Sequence, residues 1–434
     1  MFALTLSIPI KSLSAADLYV DNYLGIGGAY NSMSAAITAA NPGDTIWVSG
    51  TFSESVTVNK PGLKIKRYSG ATAIFDGSGT LNRGLLISGV SGLEVHGIEF
   101  HGFTEGILCL NSSNVDMHDV VVDNSGKLGM NFASSTSCSF TSCTFRNTQP
   151  AAGFGDGVYI QGSSTDNVTF SSCTFSGNAR GGVGVYGNAN GASEITNLTF
   201  SNCDSSNNGL DGIRLQGAHE CSILDGSYDN NAKHGIDINS NCDEILIDGI
   251  NATNTTTCER AIRVCNAATN IDIDNCGING FTEDGIYCCE NSSAITITGV
   301  VVTNSGKFGL TIDNCTNVTV TSCTFRESKL VLDATGNIIG GHGVRVIGDD
   351  SDNISFAMCT MTENEAYGVN VHNDVNMNDP TVVNPTTTNV TFTLCHCIAN
   401  DIQGFRTQGA HGVRITGGTF NNNGASGIQI EQGQ

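Results

Sequence analysis

Apolar and polar residues alternate along most of this chain with a period of two, in runs too short for helices. One unit, glycine–apolar–any–apolar, recurs throughout. It reads GLLI at 84, GILC at 106, GMNF at 129, GVYI at 157, GVGV at 182, GIRL at 212 and GIDI at 235. It continues as AIRV at 261, GIYC at 285, GLTI at 309, GVRV at 343, GVNV at 368, GFRT at 404 and GIQI at 427. The steps are 22, 23, 28, 25, 30, 23, 26, 24, 24, 34, 25, 36 and 23 residues. Between these units lies a second one, NVTFSSCTF at 167, NLTFSNCDS at 197, NVTVTSCTF at 317 and NVTFTLCHC at 389, followed by an Asn-rich turn. β-Branched residues at alternating positions predict strands. A coil of two or three short strands cannot bury its apolar side alone, whereas stacked coils share one core. The pattern predicts a parallel β-solenoid of about 14–16 coils, ~4.8 Å apart, in a rod roughly 70 Å long.

Longer stretches also return. HGFTEGILC at 101 matches NGFTEDGIYC at 279, NSGKLG at 124 matches NSGKFG at 304, and TSCTFR occurs at 141 and 321. The last two pairs are each 180 residues apart, which predicts that several coils were duplicated as a block.

The two ends depart from the repeat. Residues 32–40, SMSAAITAA, predict a short helix with Asn31 or Ser32 as N-cap and Pro42-Gly43 as stop. Such a helix covers the first edge of the solenoid, which would otherwise pair with other chains. Residues 17–434 then form one domain, with 17–50 as cap and first strands. Residues 1–16 read as the remnant of a signal peptide. FALTLSIPI at 2–10 is apolar and Ser14-Ala15-Ala16 supplies small residues, although the basic n-region is missing. An ordinary first strand is the other reading. The final unit, GIQIEQGQ, carries no cap signal. That end is expected either to be the edge of a fragment or to be covered by a partner, self-association included.

Charge narrows the partners. Asp+Glu number 41 against 19 Lys+Arg, a net charge of −22. This excludes nucleic acid and an anionic membrane surface, both of which need a basic face. No apolar run approaches the length of a membrane span. Many of the 17 cysteines recur at one repeat position: Cys143, Cys173 and Cys323 in SCTF, Cys203 in NCDS, Cys276 in NCGI, Cys359 in MCTM. They are expected to be free, buried and used as small hydrophobes. Cys288-Cys289 and Cys395-His396-Cys397 lack the spacing of a zinc site. Asn-X-Ser/Thr triplets, as at Asn167, Asn197 and Asn389, are expected by chance in a chain this rich in Asn, Ser and Thr.

Residues 17–77 run from DLYVDNYLGIGGAY through ANPGDTIWVSGTF, ESVTV and GLKIK. They resemble the opening of the pectate-lyase-like superfamily of right-handed parallel β-helices: a first strand, a capping helix, AxPGDTIxVxxGTY, ExVxI and GLxIK. The later coils are similar to it as repeat grammar. The resemblance implies an all-β fold, a single-stranded right-handed parallel β-helix. It also implies action on acidic polysaccharides, as by pectate lyases, chondroitinase B-like lyases and mannuronan epimerases, often with calcium. The Tyr-Gly-x-Asp-Pro-His epimerase segment and the pectate lyase cluster of calcium-binding Asp residues have no counterpart here. Asn207–Gly217 resembles the pectate lyase segment with a catalytic Lys, and Arg214 stands at that position. The same fold also hosts adhesins, tail spikes and periplasmic factors.

In each glycine–apolar–any–apolar unit the middle residue faces outward. The outward ladder is Leu86, Leu108, Asn131, Tyr159, Gly184, Arg214, Asp237, Arg263, Tyr287, Thr311, Arg345, Asn370, Arg406 and Gln429. Charges are scarce, yet the coils from 182 to 285 bring Asp211, Arg214, Lys233, His234, Asp237, Glu259, Arg260, Arg263, Asp284 and Tyr287 to one face. Arg214 and Arg263 are two coils apart, roughly 10 Å, about two sugar units. A lyase or epimerase needs a cation for the enolate-like intermediate, a base for the C5 proton and an acid at the leaving oxygen. Arg214 or Lys233 is the expected base, His234 or Tyr287 the acid and Arg263 the uronate clamp, with Tyr159, Asp211, Asp237, Arg260 and Asp284 binding substrate. The competing reading is a solvated ladder in which Asp237 pairs with Arg214 and Arg263 to relieve like-charge stacking. Asp349, Asp350 and Asp352 form an acidic turn and 374–379 alternates oxygen ligands, a weak Ca²⁺ expectation. Long inserts at 146–156, 186–195, 327–341 and 372–388 are expected to wall the cleft. The expected function is a secreted or cell-surface polysaccharide lyase acting by β-elimination on a uronate polymer. The alternative is a non-catalytic adhesive or structural β-helix.

Overall fold

The computed structural model describes residues 15–187, 194–255, 257–348, 350–372 and 387–431. The expected signal segment therefore falls almost wholly outside the described residues. Each coil contributes up to three short strands that pair in parallel with the next. Leu128–Ala133, Thr136–Thr141 and Thr144–Arg146 pair with Val158–Gln161, Ser164–Ser171 and Thr174–Ser176. One face is a fifteen-stranded sheet from Val56–Val58 to Ile428–Glu431, one strand per coil, within the expected count. The other faces form a 21-stranded and a six-stranded sheet. Thr45–Phe52 joins two faces. Its first half pairs with Lys64–Arg67 and its second with Ala73–Asp76, and the corner falls at Gly50, whose φ of 121° is open to glycine.

The helix forms over Met33–Ala39. Ser32 is its N-cap, its Oγ accepting from the Ala35 amide at 3.2 Å. The Glu54 carboxylate accepts from the Met33 amide at 2.6 Å, placing negative charge at the positive helix end. Met33, Ala36 and Ile37 are buried against the first coils, as a cap requires. Among the described residues no helix is long and apolar enough to cross a membrane.

Inside, like stacks on like. Val158, Val183, Ile213, Ile236, Ile262 and Ile286 align strand by strand and are fully buried. Phe140, Phe170 and Phe200 stack with centroids 4.6 and 5.2 Å apart. Cys143, Cys173 and Cys203 occupy equivalent positions of successive coils, set by the Thr144–Thr174 and Thr174–Asp204 pairings. Fifteen cysteines are free and buried. Burial pushes thiols such as Cys109 and Cys221 up to about 12, so they pack rather than react. One pair departs from the expectation: Cys265 and Cys289 form a disulfide across adjacent coils.

The Asn-rich turns have two roles. Asn178, Asn208 and Asn231 form a buried ladder in which each amide donates to the next at 3.1 and 3.0 Å. Asn167, Asn197, Asn317, Asn353 and Asn389 sit at turns with positive φ, which Asn tolerates better than most residues. The Asn197 and Asn389 amides donate to Asp166 and Asp352 of the preceding coil. The Asn-X-Ser/Thr triplets there follow from the fold: Asn for the turn, an apolar residue inward, Ser or Thr outward.

Candidate functional site

The outward ladder of the fifteen-stranded sheet is continuous. Register pairs Leu86 with Leu108, then Asn131, Tyr159, Gly184, Arg214, Asp237, Arg263, Tyr287, Thr311, Arg345, Asn370, Arg406 and Gln429. Asp211, His234 and Arg260 form a neighbouring ladder, as do Asp284, Phe308 and His342. Outward does not mean exposed here. Asp237 is 0% accessible, because the arginines above and below it fold over its carboxylate.

The central cluster is built from these pairs. Arg214 Nε donates to Asp237 Oδ2 at 3.0 Å and its Nη2 lies 2.8 Å from Asp211 Oδ2. Arg263 Nη1 donates to Asp237 Oδ1 at 3.0 Å, while its other nitrogen lies 4.0 Å from Glu290. Arg260 donates to Asp284 at 2.9 Å, pairs with Glu283 and Glu259, and lies 4.6 Å over the Tyr287 ring. The expected pairing of Asp237 with Arg214 and Arg263 is thus present.

Three roles expected from the sequence do not fit this geometry. Burial alone would lower the Arg214 pKa, but Asp211 and Asp237 outweigh it and raise it, so this guanidinium keeps its proton and is no base. The Tyr287 hydroxyl is not free as an acid: it donates to Asp313 at 3.0 Å, and burial and that carboxylate raise its pKa. Burial lowers His234 to about 3, so near neutral pH it carries no second proton to give. Lys233 is different. It is half-buried, and its ammonium makes no hydrogen bond or ion pair among the described residues. Lys233 and Arg263 both act electrostatically on Asp211 and His234. Burial pushes Asp211 up to about 6 against the pull of Arg214, and Asp284 up to about 6 against Arg260.

Next to this cluster lies an aromatic platform. Tyr159 stacks on Tyr186 at 4.6 Å and meets Phe154 at 5.9 Å. Gly184 makes the stack possible, since a Cβ there would lie 2.5 Å from the Tyr186 ring. Arg180 donates to the Tyr186 hydroxyl at 3.0 Å and lies 3.7 Å from Asp156. Burial raises the Asp156 pKa despite Arg180. Sequence reasoning singled out Tyr159 but missed Tyr186, Arg180 and Phe154. Tyr186 sits two positions after Gly184, at the next outward site of the same strand, and that spacing was the available signal. Of the four inserts, 146–156 supplies Phe154 and 327–341 carries a small antiparallel bridge, Leu332–Ile338; most of the other two lies outside the described residues.

Much of the calcium expectation falls outside the described residues. Asp349 lies outside the described residues, as does 374–379. Asp352 Oδ1 accepts from Thr388 and, at 2.8 Å, from Asn389. Among the described residues the one group with metal-ligand geometry is Cys265, Cys289 and Glu290, whose two sulfurs are bonded to each other.

A family model described as a right handed beta helix region matches residues 44–198, 184–339 and 260–434. No curated protein matches the chain. Solved structures similar to it include the A-module of the Azotobacter vinelandii mannuronan C-5 epimerase AlgE4, 14% identical over 91% of this chain and 94% of that one, TM-score 0.44. The periplasmic alginate epimerase AlgG is 11% identical over 93% and 89%, TM-score 0.45. An alginate lyase from Paenibacillus sp. str. FPU-7 is 14% identical over 93% and 99%, TM-score 0.29.

Proposed function

This chain belongs to the right-handed beta helix region family, and from that premise we propose that it binds a uronate-containing polysaccharide along the outward face of its fifteen-stranded sheet and cleaves it by β-elimination. The observation that carries the reading is Lys233: an ammonium without a partner among the described residues, acting together with Arg263 on Asp211 and His234, in a chain where most cations are paired. In its neutral form Lys233 takes the C5 proton. The C4–O bond breaks, a C4–C5 double bond forms, and the leaving oxygen takes a proton from solvent. Arg263, with one edge only loosely held, receives the uronate carboxylate and stabilises the charge that develops on it. Asp237 aims the guanidinium. Tyr159 and Tyr186 offer a stacked surface to a sugar ring. Such polymers lie outside cells, so the reading carries export to the surface or medium with it.

The test is incubation with pectate, alginate and glycosaminoglycans while following the ultraviolet absorbance of the unsaturated product. Absorbance that grows with wild type and not with Lys233→Met supports the reading; none with any polymer refutes it. A second reading, a binding protein without catalysis, is favoured by the carboxylates that already satisfy Arg214 and Arg260. Binding of a polymer without new absorbance selects it.

A further inference from the structure

The coil steps run twice through one series: 22, 23, 28, 25, 30 and 23 residues from 84 to 235, then 24, 24, 34, 25, 36 and 23 from 261 to 427. Side-chain contacts repeat with them. The ladder Asn178–Asn208–Asn231 returns as Asn364–Asn400–Asn423, with amide contacts of 2.9 and 3.0 Å. Glu105 bridges Arg83 and Lys127 at 3.0 and 3.7 Å; in the second block its equivalent Asp284 takes Arg260 at 2.9 Å, and the neighbouring Glu283 takes Arg260 and Lys307. From residue 84 onward the chain is two tandem blocks of seven coils.

We infer that the second block carries its own saccharide site on the same face, one that holds an anionic polymer without cleaving it. Seven coils separate Tyr159 from its equivalent Arg345 in the ladder, ~34 Å at the spacing of parallel strands. The blocks differ in charge. In the first, Asp156, Asp211 and Asp237 face Arg214. At the equivalent positions the second holds His342, Gln403, Gln429 and Arg406, and Arg345 replaces Tyr159. Glu431 lies 2.8 Å from Arg406. At these equivalent ladder positions three carboxylates are lost and one guanidinium is gained, which suits an anionic chain. The proposed base is gone as well, since Ala425 stands where Lys233 stands in the first block.

The second set is built as a site. Phe308, His342 and Tyr367 stack at 5.2 and 4.6 Å, with Arg345 5.0 Å over the Phe308 ring and Arg406 5.5 Å over Tyr367. His342 and Asn370 are 2% and 4% exposed, yet His342 Nδ1 and Asn370 Oδ1 have no partner. Buried polar atoms in native proteins are seldom left so. The choice of a uronate polymer as ligand rests on the function proposed above.

Calorimetry with alginate and polygalacturonate, each as polymer and as tetramer, tests this. A tetramer is too short to span ~34 Å, whereas a polymer engages both blocks and gains about 10²-fold or more from bivalence. Wild type is expected to bind two tetramers per chain; Lys233→Met and the double variant Arg345→Gln/Arg406→Gln each bind one. The double variant also loses the polymer advantage. If it does not fold, slowed amide exchange in His342–Ile347 and Phe405–Gln408 of wild type on adding tetramer reads the same site. One tetramer per wild-type chain, lost in Lys233→Met and kept in the double variant, overturns the second site alone. No binding of either polymer overturns both this inference and the function on which it rests.

Discussion

Asp237→Ala is the most exposing single perturbation of the central cluster. The wild-type carboxylate is fully buried and accepts from Arg214 and Arg263 at 3.0 Å each. Its removal leaves two guanidiniums, 22% and 17% exposed, facing one another across two coils. At roughly 10 Å and an effective dielectric of about 20 their repulsion is about 1.7 kcal/mol. Two charge-assisted hydrogen bonds, about 1.5–3 kcal/mol each, are lost as well. Solvent reaching the arginines offsets part of this, and removing one partner of a buried ion pair costs about 3–5 kcal/mol. Coils of a solenoid open locally rather than all at once, so the assay is amide hydrogen exchange. Exchange in Asp211–Gln216, His234–Asn239 and Arg260–Val264 should speed up by about 10²–10³-fold, while the first coils stay unchanged. Asp272→Ala, at an exposed outward position of the 21-stranded sheet, is the control, with an expected change within about 0.5 kcal/mol. Equal exchange in the two variants would refute Asp237 as the clamp of this face.

Other outcomes follow from the same geometry. Asp211 is raised from 3.8 unfolded to about 6 folded, so the stability of its protonated form is present below about pH 4 and lost as pH rises through about 6. The stability of Asp211→Asn relative to wild type should therefore climb by about 2–3 kcal/mol between pH 4 and 6 and stay flat outside that window; parallel denaturation curves would count against a buried, raised Asp211. Gly184→Ala should push Tyr186 off Tyr159 and weaken oligosaccharide binding about tenfold without lowering the melting temperature by more than a few degrees. Thiol mapping by mass spectrometry should find one disulfide, Cys265–Cys289, and cysteines that alkylate only after denaturation; a majority of paired cysteines would contradict the packing.

The outward ladder could be read from the chain because two independent signals mark it: alternation with period two, and a glycine at a fixed offset. Register then follows from stacking alone. What could not be read is which way a long side chain leans. Arg214 and Arg263 reach across to Asp237, so a residue that points outward ends fully buried, and the expected role of Arg214 as base disappears with that pairing; His234 loses its role to burial and Tyr287 to its bond with Asp313. Tyr186 escaped because the reading stopped at the first outward position of its strand. Cys265 and Cys289 escaped because the reading followed only the cysteines that recur at one repeat position. Their separation of 24 residues equals the local coil step and places them one above the other.

Lysine acylation followed by mass spectrometry, with and without a uronate polymer, tests the location of the binding face most directly. Lys233 directly precedes the strand His234–Asn239 of that face, whereas Lys64 and Lys66 lie in Lys64–Arg67 of the 21-stranded sheet. Bound polymer should slow the acylation of Lys233 at least tenfold and leave Lys64 and Lys66 unchanged. Equal protection of all three, or protection of Lys64 and Lys66 alone, would place the ligand elsewhere and contradict the site.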